Sequence, residues 1–225
     1  MAHFKRLEVY NQLQRTPVVP VFYHGDFEVS KQVLRACYEA GARVFEFTNR
    51  GDGAHRVFRK LVEFAKSELP YLILGVGSVV DEATTAVFIQ NGANFVVSPI
   101  MNPEMAKICN RRKIAWLPGC GSVSEISVAE EFGAEVVKMF PAPGVGGPDF
   151  IKAVKGPMPW TNIMPSGGVE PEENNLKEWF SAGAFCVGMG TKAFVQKADG
   201  TYDFNAITQN FKYALDFAKQ FRQAN

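Results

Sequence analysis

Lys138 stands in the run Glu135-Val136-Val137-Lys138-Met139-Phe140-Pro141, a β-branched stretch that ends on a proline. Such a stretch carries an amine to the end of a buried strand, where an ammonium is poorly solvated and the free, nucleophilic amine is favoured. An amine of that kind forms Schiff bases with carbonyl compounds. A lysine at a strand end also snorkels to water in many proteins, so this segment by itself leaves both readings open. A second run, Val44-Phe45-Glu46-Phe47-Thr48-Asn49-Arg50, places a carboxylate among apolar residues, with alternation turning Glu46 away from Phe45 and Phe47. A buried carboxylate must be paired, protonated or functional, because leaving it alone costs roughly several kcal/mol. Arg50 follows just past the strand end, where a guanidinium can clamp a substrate carboxylate with two parallel hydrogen bonds or simply lie on the surface.

Three glycine-containing turns complete the chemistry-bearing set. Gly75-Val76-Gly77-Ser78 could bring backbone amides and a hydroxyl close to a small oxyanion, although such turns are common between strands and helices. Pro165-Ser166-Gly167-Gly168-Val169 and Gly188-Met189-Gly190-Thr191 follow later apolar runs. Consecutive glycines ahead of a helix expose amides to an anion, and the last two loops of many barrels bind phosphate. Close packing of helix on strand is the competing explanation.

These residues need elements to hold them, and the chain has a rhythm that supplies them. Apolar runs at Pro17 to Phe22, Arg43 to Phe47, Tyr71 to Gly75, Phe95 to Ser98, Ala115 to Leu117, Glu135 to Met139, Thr161 to Met164 and Phe185 to Gly188 alternate with amphipathic intervals. The spacing, about 28 residues per unit, is what a βα repeat requires. Asn102-Pro103-Glu104, Ser122-Val123-Ser124-Glu125 and Pro171-Glu172-Glu173 read as helix starts. Gly41-Ala42, Gly92-Ala93, Gly133-Ala134 and Gly183-Ala184 read as helix stops, with glycine in the left-handed position.

Near-continuous apolar strands fit a parallel sheet buried on both faces, and eight of them predict a closed (β/α)8 TIM barrel rather than an open doubly wound sheet. Alternate strands share interior layers in such a barrel, so Glu46 on the second run and Lys138 on the sixth can meet inside it. A salt bridge that merely fixes the barrel is the structural alternative. Phe4, Leu7 and Tyr10 suggest an extra N-terminal helix covering the barrel floor. Ile207, Phe211, Ala214, Leu215, Ala218 and Phe221 share one face of a C-terminal helix.

Composition narrows the function further. At 225 residues with no linker or low-complexity tract, a single domain spanning 1–225 is expected. Twenty-four basic against 23 acidic side chains leave a net charge of +1, which gives no field for nucleic acid or acidic membranes. The polar start Met1-Ala2-His3-Phe4-Lys5-Arg6 is unlike a signal peptide, and no stretch has the ~18 apolar residues of a membrane span, so a soluble cytoplasmic protein is expected. Cys37, Cys109, Cys120 and Cys186 are widely separated and read as buried thiols, and His3, His24 and His55 are scattered. No metal site follows from them, and no cofactor.

Taken together, the motifs resemble the bacterial 2-keto-3-deoxy-6-phosphogluconate (KDPG) and 4-hydroxy-2-oxoglutarate (KHG) aldolase family, class I Schiff-base aldolases on a (β/α)8 barrel. The resemblance runs from Thr16-Pro17-Val18-Val19-Pro20-Val21 to Phe194 and includes Phe45 to Arg50, Gly75 to Val79, Val97-Ser98-Pro99, Leu117-Pro118-Gly119, Val137 to Ala142 and Pro165 to Val169. It implies that Lys138 is the Schiff-base lysine and Glu46 the acid/base. Arg50 and Ser78 would bind the pyruvyl carboxylate, and Pro99 and Phe140 would line the pocket. Ser166, Gly167, Gly168 and the loop of Gly188, Gly190 and Thr191 would hold a distal phosphate or carboxylate. Ser78 and Ser166 stand where the family usually has threonine, Ile100 replaces a common glycine, and Gly-Met-Gly-Thr replaces Gly-Gly-Ser at 188–191. The family also implies a homotrimer, a small 2-keto acid as substrate, and pyruvate as product. A 2-keto-3-deoxy-6-phosphogalactonate aldolase, a phosphate-binding isomerase or epimerase that forms no imine, and a noncatalytic binder of small acids remain as alternatives.

Overall fold

Helices and strands alternate along residues 2–224, the part of the chain that this computed structural model describes; Met1 and Asn225 lie outside it. In order they are α1 (Arg6–Arg15), β1 (Val18–Phe22), α2 (Phe27–Glu39), β2 (Val44–Thr48), α3 (Ala54–Glu68), β3 (Ile73–Gly77), α4 (Glu82–Gln90), β4 (Phe95–Val97), α5 (Pro103–Arg112), β5 (Ala115–Leu117), β6 (Gly119–Cys120), α6 (Val123–Glu131), β7 (Val137–Met139), α7 (Gly147–Lys155), β8 (Ile163–Pro165), α8 (Glu173–Ser181), β9 (Val187–Met189) and α9 (Phe204–Ala224). Every strand pair is parallel. Six strands form one curled sheet in the order β5-β4-β3-β2-β1-β9, and three more form the sheet β6-β7-β8.

The architecture is therefore α/β with a curled parallel sheet and helices between strands. The fifth apolar run was expected to end at Leu117, but it continues beyond Pro118 as β6, which pairs with β7 instead of β4. Proline has no N–H to give to the ladder, so the strand is interrupted there while its carbonyl still accepts from Lys138 N at 2.7 Å. Between β8 and β9 the contacts are a parallel bridge of Ser166 with Gly188 and a bond from Phe185 N to Ile163 O of 2.8 Å.

The predicted punctuation is present. Asn102 accepts from Glu104 N at 3.0 Å with Pro103 at the first helical position, and Ser122 accepts from Glu125 N at 3.2 Å. Gly41, Gly92, Gly133 and Gly183 all have positive φ, the conformation that a glycine adopts without steric cost. The third strand begins later than its apolar run, at Ile73, because Tyr71 is 70% exposed.

Two apolar clusters divide the core. Phe45, Phe47, Leu74, Val76 and Val96 point outward from the strands into the helix layer, joined by Phe58, Phe88 and Phe211. Val19, Val44, Ile73, Phe95, Val97, Ala115, Leu117, Val136, Met164 and Cys186 form a second cluster with Val9 and Leu13 of α1. The N-terminal helix exists as expected, and Phe4 and Tyr10 pack against this cluster, but Leu7 does not join them. Phe4 precedes the helix and Leu7 is 73% exposed, whereas Val9 and Leu13, four residues apart, carry the burial.

Candidate active site

Lys138 is the middle residue of β7, flanked in register by Gly119 of β6 and Met164 of β8. Its residue is 4% exposed, and its Nζ lies 5.1 Å from the centre of the Phe140 ring. Glu46 is the middle residue of β2, in register with Val21 of β1 and Gly75 of β3, and is 0% exposed. Although β2 and β7 belong to different sheets, Lys138 Nζ stands 3.6 Å from Glu46 Oε1. The two side chains thus meet across the interior, as alternation along each strand requires.

The pair is poorly built as a structural fastener. At 3.6 Å it falls short of a hydrogen bond, and neither carboxylate oxygen of Glu46 has a hydrogen-bond partner among the described residues. A buried ion pair offsets its desolvation only when further hydrogen bonds satisfy its remaining lone pairs. Unused acceptors beside a buried amine are what a site that receives and returns protons needs.

Glycines make the space for this arrangement. A methyl group at Gly77 would overlap Oε1 and Cδ of Glu46, and one at Gly75 would overlap the Phe95 ring. The Gly75-Val76-Gly77 segment therefore admits two large interior side chains. Ser78 follows at the strand end, half-buried, with φ of 57°. Asn49 N donates to Gly77 O at 2.8 Å, so Ser78 and Arg50 leave neighbouring strands at the same end.

Arg50 lines a cleft of about 230 Å³ with Val21, Tyr23, Thr48, Thr191, Gln196 and Tyr202. Lys138, Glu46, Ser78, Ser166, Gly167 and Gly168 are not in its lining. Ser166 is buried and bridges Gly188, whereas Gly167 and Gly168 are exposed with φ of 91° and 69°. The Gly168 carbonyl accepts from Asn175 Nδ2 at 2.9 Å and Trp179 Nε1 at 3.4 Å, which ties this loop to α8. Gly190 precedes the 3-10 turn that begins at Thr191. Pro99, half-buried beyond β4, lies with its carbonyl against Gly119, where no Cβ would fit.

Several cleft residues escaped the reading of the sequence. Thr48 shares the inward alternation of Glu46, a signal that was there to use. Gln196 and Tyr202 pair antiparallel in a short hairpin beyond β9, outside the repeated runs, and nothing in their spacing marks them.

The family model described as KDPG and KHG aldolase matches residues 9–210. A 2-dehydro-3-deoxy-phosphogluconate aldolase from Pseudoalteromonas atlantica is 33% identical over 200 residues, covering 88% of this chain and 90% of its own. A KHG/KDPG aldolase from Escherichia coli is 29% identical over 204 residues, covering 90% and 92%. Among solved structures, a KDPG aldolase from Legionella pneumophila, with pyruvate captured at low pH as a covalent carbinolamine intermediate, superimposes with a TM-score of 0.81. It is 26% identical, with 92% of this chain and 97% of that one covered.

Proposed function

The chain belongs to the KDPG and KHG aldolase family, and from that premise we propose that it is a class I aldolase. Its substrate is of the 2-keto-3-deoxy-6-phosphogluconate or 4-hydroxy-2-oxoglutarate type, cleaved to pyruvate and an aldehyde, glyceraldehyde 3-phosphate or glyoxylate. The observation that carries this reading is the buried approach of Lys138 Nζ to Glu46 Oε1 at 3.6 Å, with both carboxylate oxygens otherwise unpartnered.

In the cleavage direction neutral Lys138 attacks the C2 ketone, and loss of water leaves a protonated imine. That cation accepts the electron pair of the breaking C3–C4 bond while Glu46, directly or through one water, takes the proton of the C4 hydroxyl. The aldehyde departs, and the enamine is protonated at C3 and hydrolysed to pyruvate. Arg50 and Ser78 hold the pyruvyl carboxylate from the ends of β2 and β3, with Pro99 and Phe140 lining the pocket. Ser166, Gly167, Gly168, Gly188, Gly190 and Thr191 receive the distal phosphate or carboxylate from the ends of β8 and β9.

Several finer readings accompany this one. The Ser166–Gly188 bridge and the continuity of β5 into β6 support closure of the strands into a (β/α)8 barrel within one domain. Exposed Val80, Val87, Ile100, Val123 and Val128 at and around α4 and α6 support a homotrimer that covers them. Among the described residues no helix is long and apolar enough to cross a membrane. A cytoplasmic location is part of the same proposal and rests on the family's soluble metabolic role.

Incubation with pyruvate and borohydride should leave a reduced three-carbon adduct on Lys138, and Lys138→Ala should abolish it. Retained cleavage with Lys138 unmodified would exclude the imine route. Glu46→Gln should still form some adduct but lose cleavage. Parallel assays of phosphorylated and unphosphorylated 2-keto acids, the phosphogalactonate-derived acid included, identify the preferred substrate.

A further inference from the structure

Beside the two carboxylate oxygens of Glu46, β2 carries one more buried polar atom without a partner, the Oγ1 of Thr48. The residue is 1% exposed, and its hydroxyl has no hydrogen-bond partner among the described residues. It also lines the cleft that contains Arg50. Alternation puts residues 46 and 48 on the same inner face, about 6.6 Å apart along the strand. Thr48 is in register with Gly77, and the space over Gly77 is where the Glu46 carboxyl leans. The carboxyl therefore leans toward the level of the threonine residue, with whose hydroxyl it makes no direct hydrogen bond. Two hydrogen bonds of about 2.8 Å meeting at one water oxygen cover about 4.5–5.5 Å.

We propose that Thr48 is a positioning residue whose hydroxyl anchors a water against Glu46, and that this water carries the protons that Glu46 exchanges with the substrate. The inference rests on the aldolase reading and names a residue to which that reading gives no part. In the pyruvate imine, the C3 proton passes to the water oxygen as the water gives one of its own protons to the Glu46 carboxylate. The C3–H electron pair becomes the C2=C3 bond, and the C=N pair settles on nitrogen. Reversal of these movements returns a solvent proton to C3. During cleavage the C4 hydroxyl proton follows the same path. Such satisfaction of buried polar groups by one ordered water is common in protein interiors.

The step can be isolated from carbon–carbon cleavage by following exchange of pyruvate methyl protons in heavy water by NMR. Thr48→Val keeps the shape and removes the hydroxyl. It should slow both exchange and cleavage by about 100-fold, the lower end of what general acid–base catalysis contributes. The substrate KM should change little, and the end-point borohydride adduct on Lys138 should still form. Thr48→Ser, which restores the hydroxyl, should recover exchange to within about threefold. Thr48→Ala gives the same comparison if the valine variant melts early, and it too should lose exchange. Wild-type exchange in the valine or alanine variant, or a serine variant as slow as valine, would overturn the proposal. Failure of the wild-type protein to form any adduct would instead remove the aldolase reading itself.

Discussion

A single methyl group at position 77 tests whether the inner surface of β3 is a seat for the acid/base. Gly77 is not among the residues with positive φ, so alanine brings no backbone strain there and acts through its side chain alone. The added Cβ would overlap Oε1 and Cδ of Glu46 and lie 2.8 Å from its Cγ. Glu46 is 0% exposed and cannot swing into solvent, so its carboxyl must shift by about 1 Å to restore contact distances. Displacement of a reacting group on that scale costs about 100-fold in rate, or about 2.7 kcal/mol of transition-state stabilisation. Overpacking should cost a further 1–3 kcal/mol of stability, roughly, and lower the melting temperature by about 2–12 °C. Pyruvate release measures the first effect and a thermal melt the second, with borohydride trapping to verify that Lys138 still reacts. Gly75→Ala is the control, because its methyl would strike the Phe95 ring and not the carboxylate. If Gly77→Ala turned over no more slowly than Gly75→Ala at equal stability, the Gly77 side of β3 would have no part in placing Glu46.

Asn94→Ala should lower the melting temperature by about 4–8 °C at unchanged activity, corresponding to about 2 kcal/mol. Its Oδ1 accepts from His3 N at 2.8 Å and Phe4 N at 2.9 Å, and its Nδ2 donates to Leu74 O at 2.8 Å. A melt within 1 °C of wild type, roughly a quarter of the smaller shift, would show that these bonds hold nothing together. Burial pushes the thiols of Cys109, Cys120 and Cys186 from an ordinary 9.0 up to about 12, and raises that of Cys37. Between about pH 9 and 12 the unfolded chain therefore binds fewer protons than the folded one, so stability is full below that window and falls as pH rises. Each thiol adds a slope of at most about 1.4 kcal/mol per pH unit. Denaturant midpoints that stayed level across that window, or rapid labelling of native thiols at neutral pH, would contradict it.

The meeting of Lys138 and Glu46 was legible because it depends on two regularities alone, side-chain alternation within a strand and the sharing of layers by alternate strands. Helix stops were legible for a similar reason, since only glycine enters the left-handed region freely at Gly41, Gly92, Gly133 and Gly183. What periodicity does not encode was lost. The continuation beyond Pro118 is two residues long, too short to register as an apolar run. The packing role of Gly75 and Gly77 was not legible, because glycine leaves no trace of what fills the space beside it, here Phe95 and Glu46. On α1, Phe4 and Tyr10 do pack inward, but Leu7 is exposed and the fully buried positions are Val9 and Leu13, which spacing alone did not single out. Gln196 and Tyr202 reach the cleft only through the tertiary path of a hairpin.

The apolar layer formed by Val9, Leu13 and the lower strand residues lies on the N-terminal side of the strands, opposite the turns that carry Arg50 and Thr191. Hydrocarbon fills that end of the interior. On the proposed Schiff-base route, an aldehyde freed above Lys138 would leave toward the turns at the other end, while the three-carbon remnant would stay tethered behind it until water released it. That route would order departure by depth, with a newly arriving keto acid waiting for the deeper product to clear.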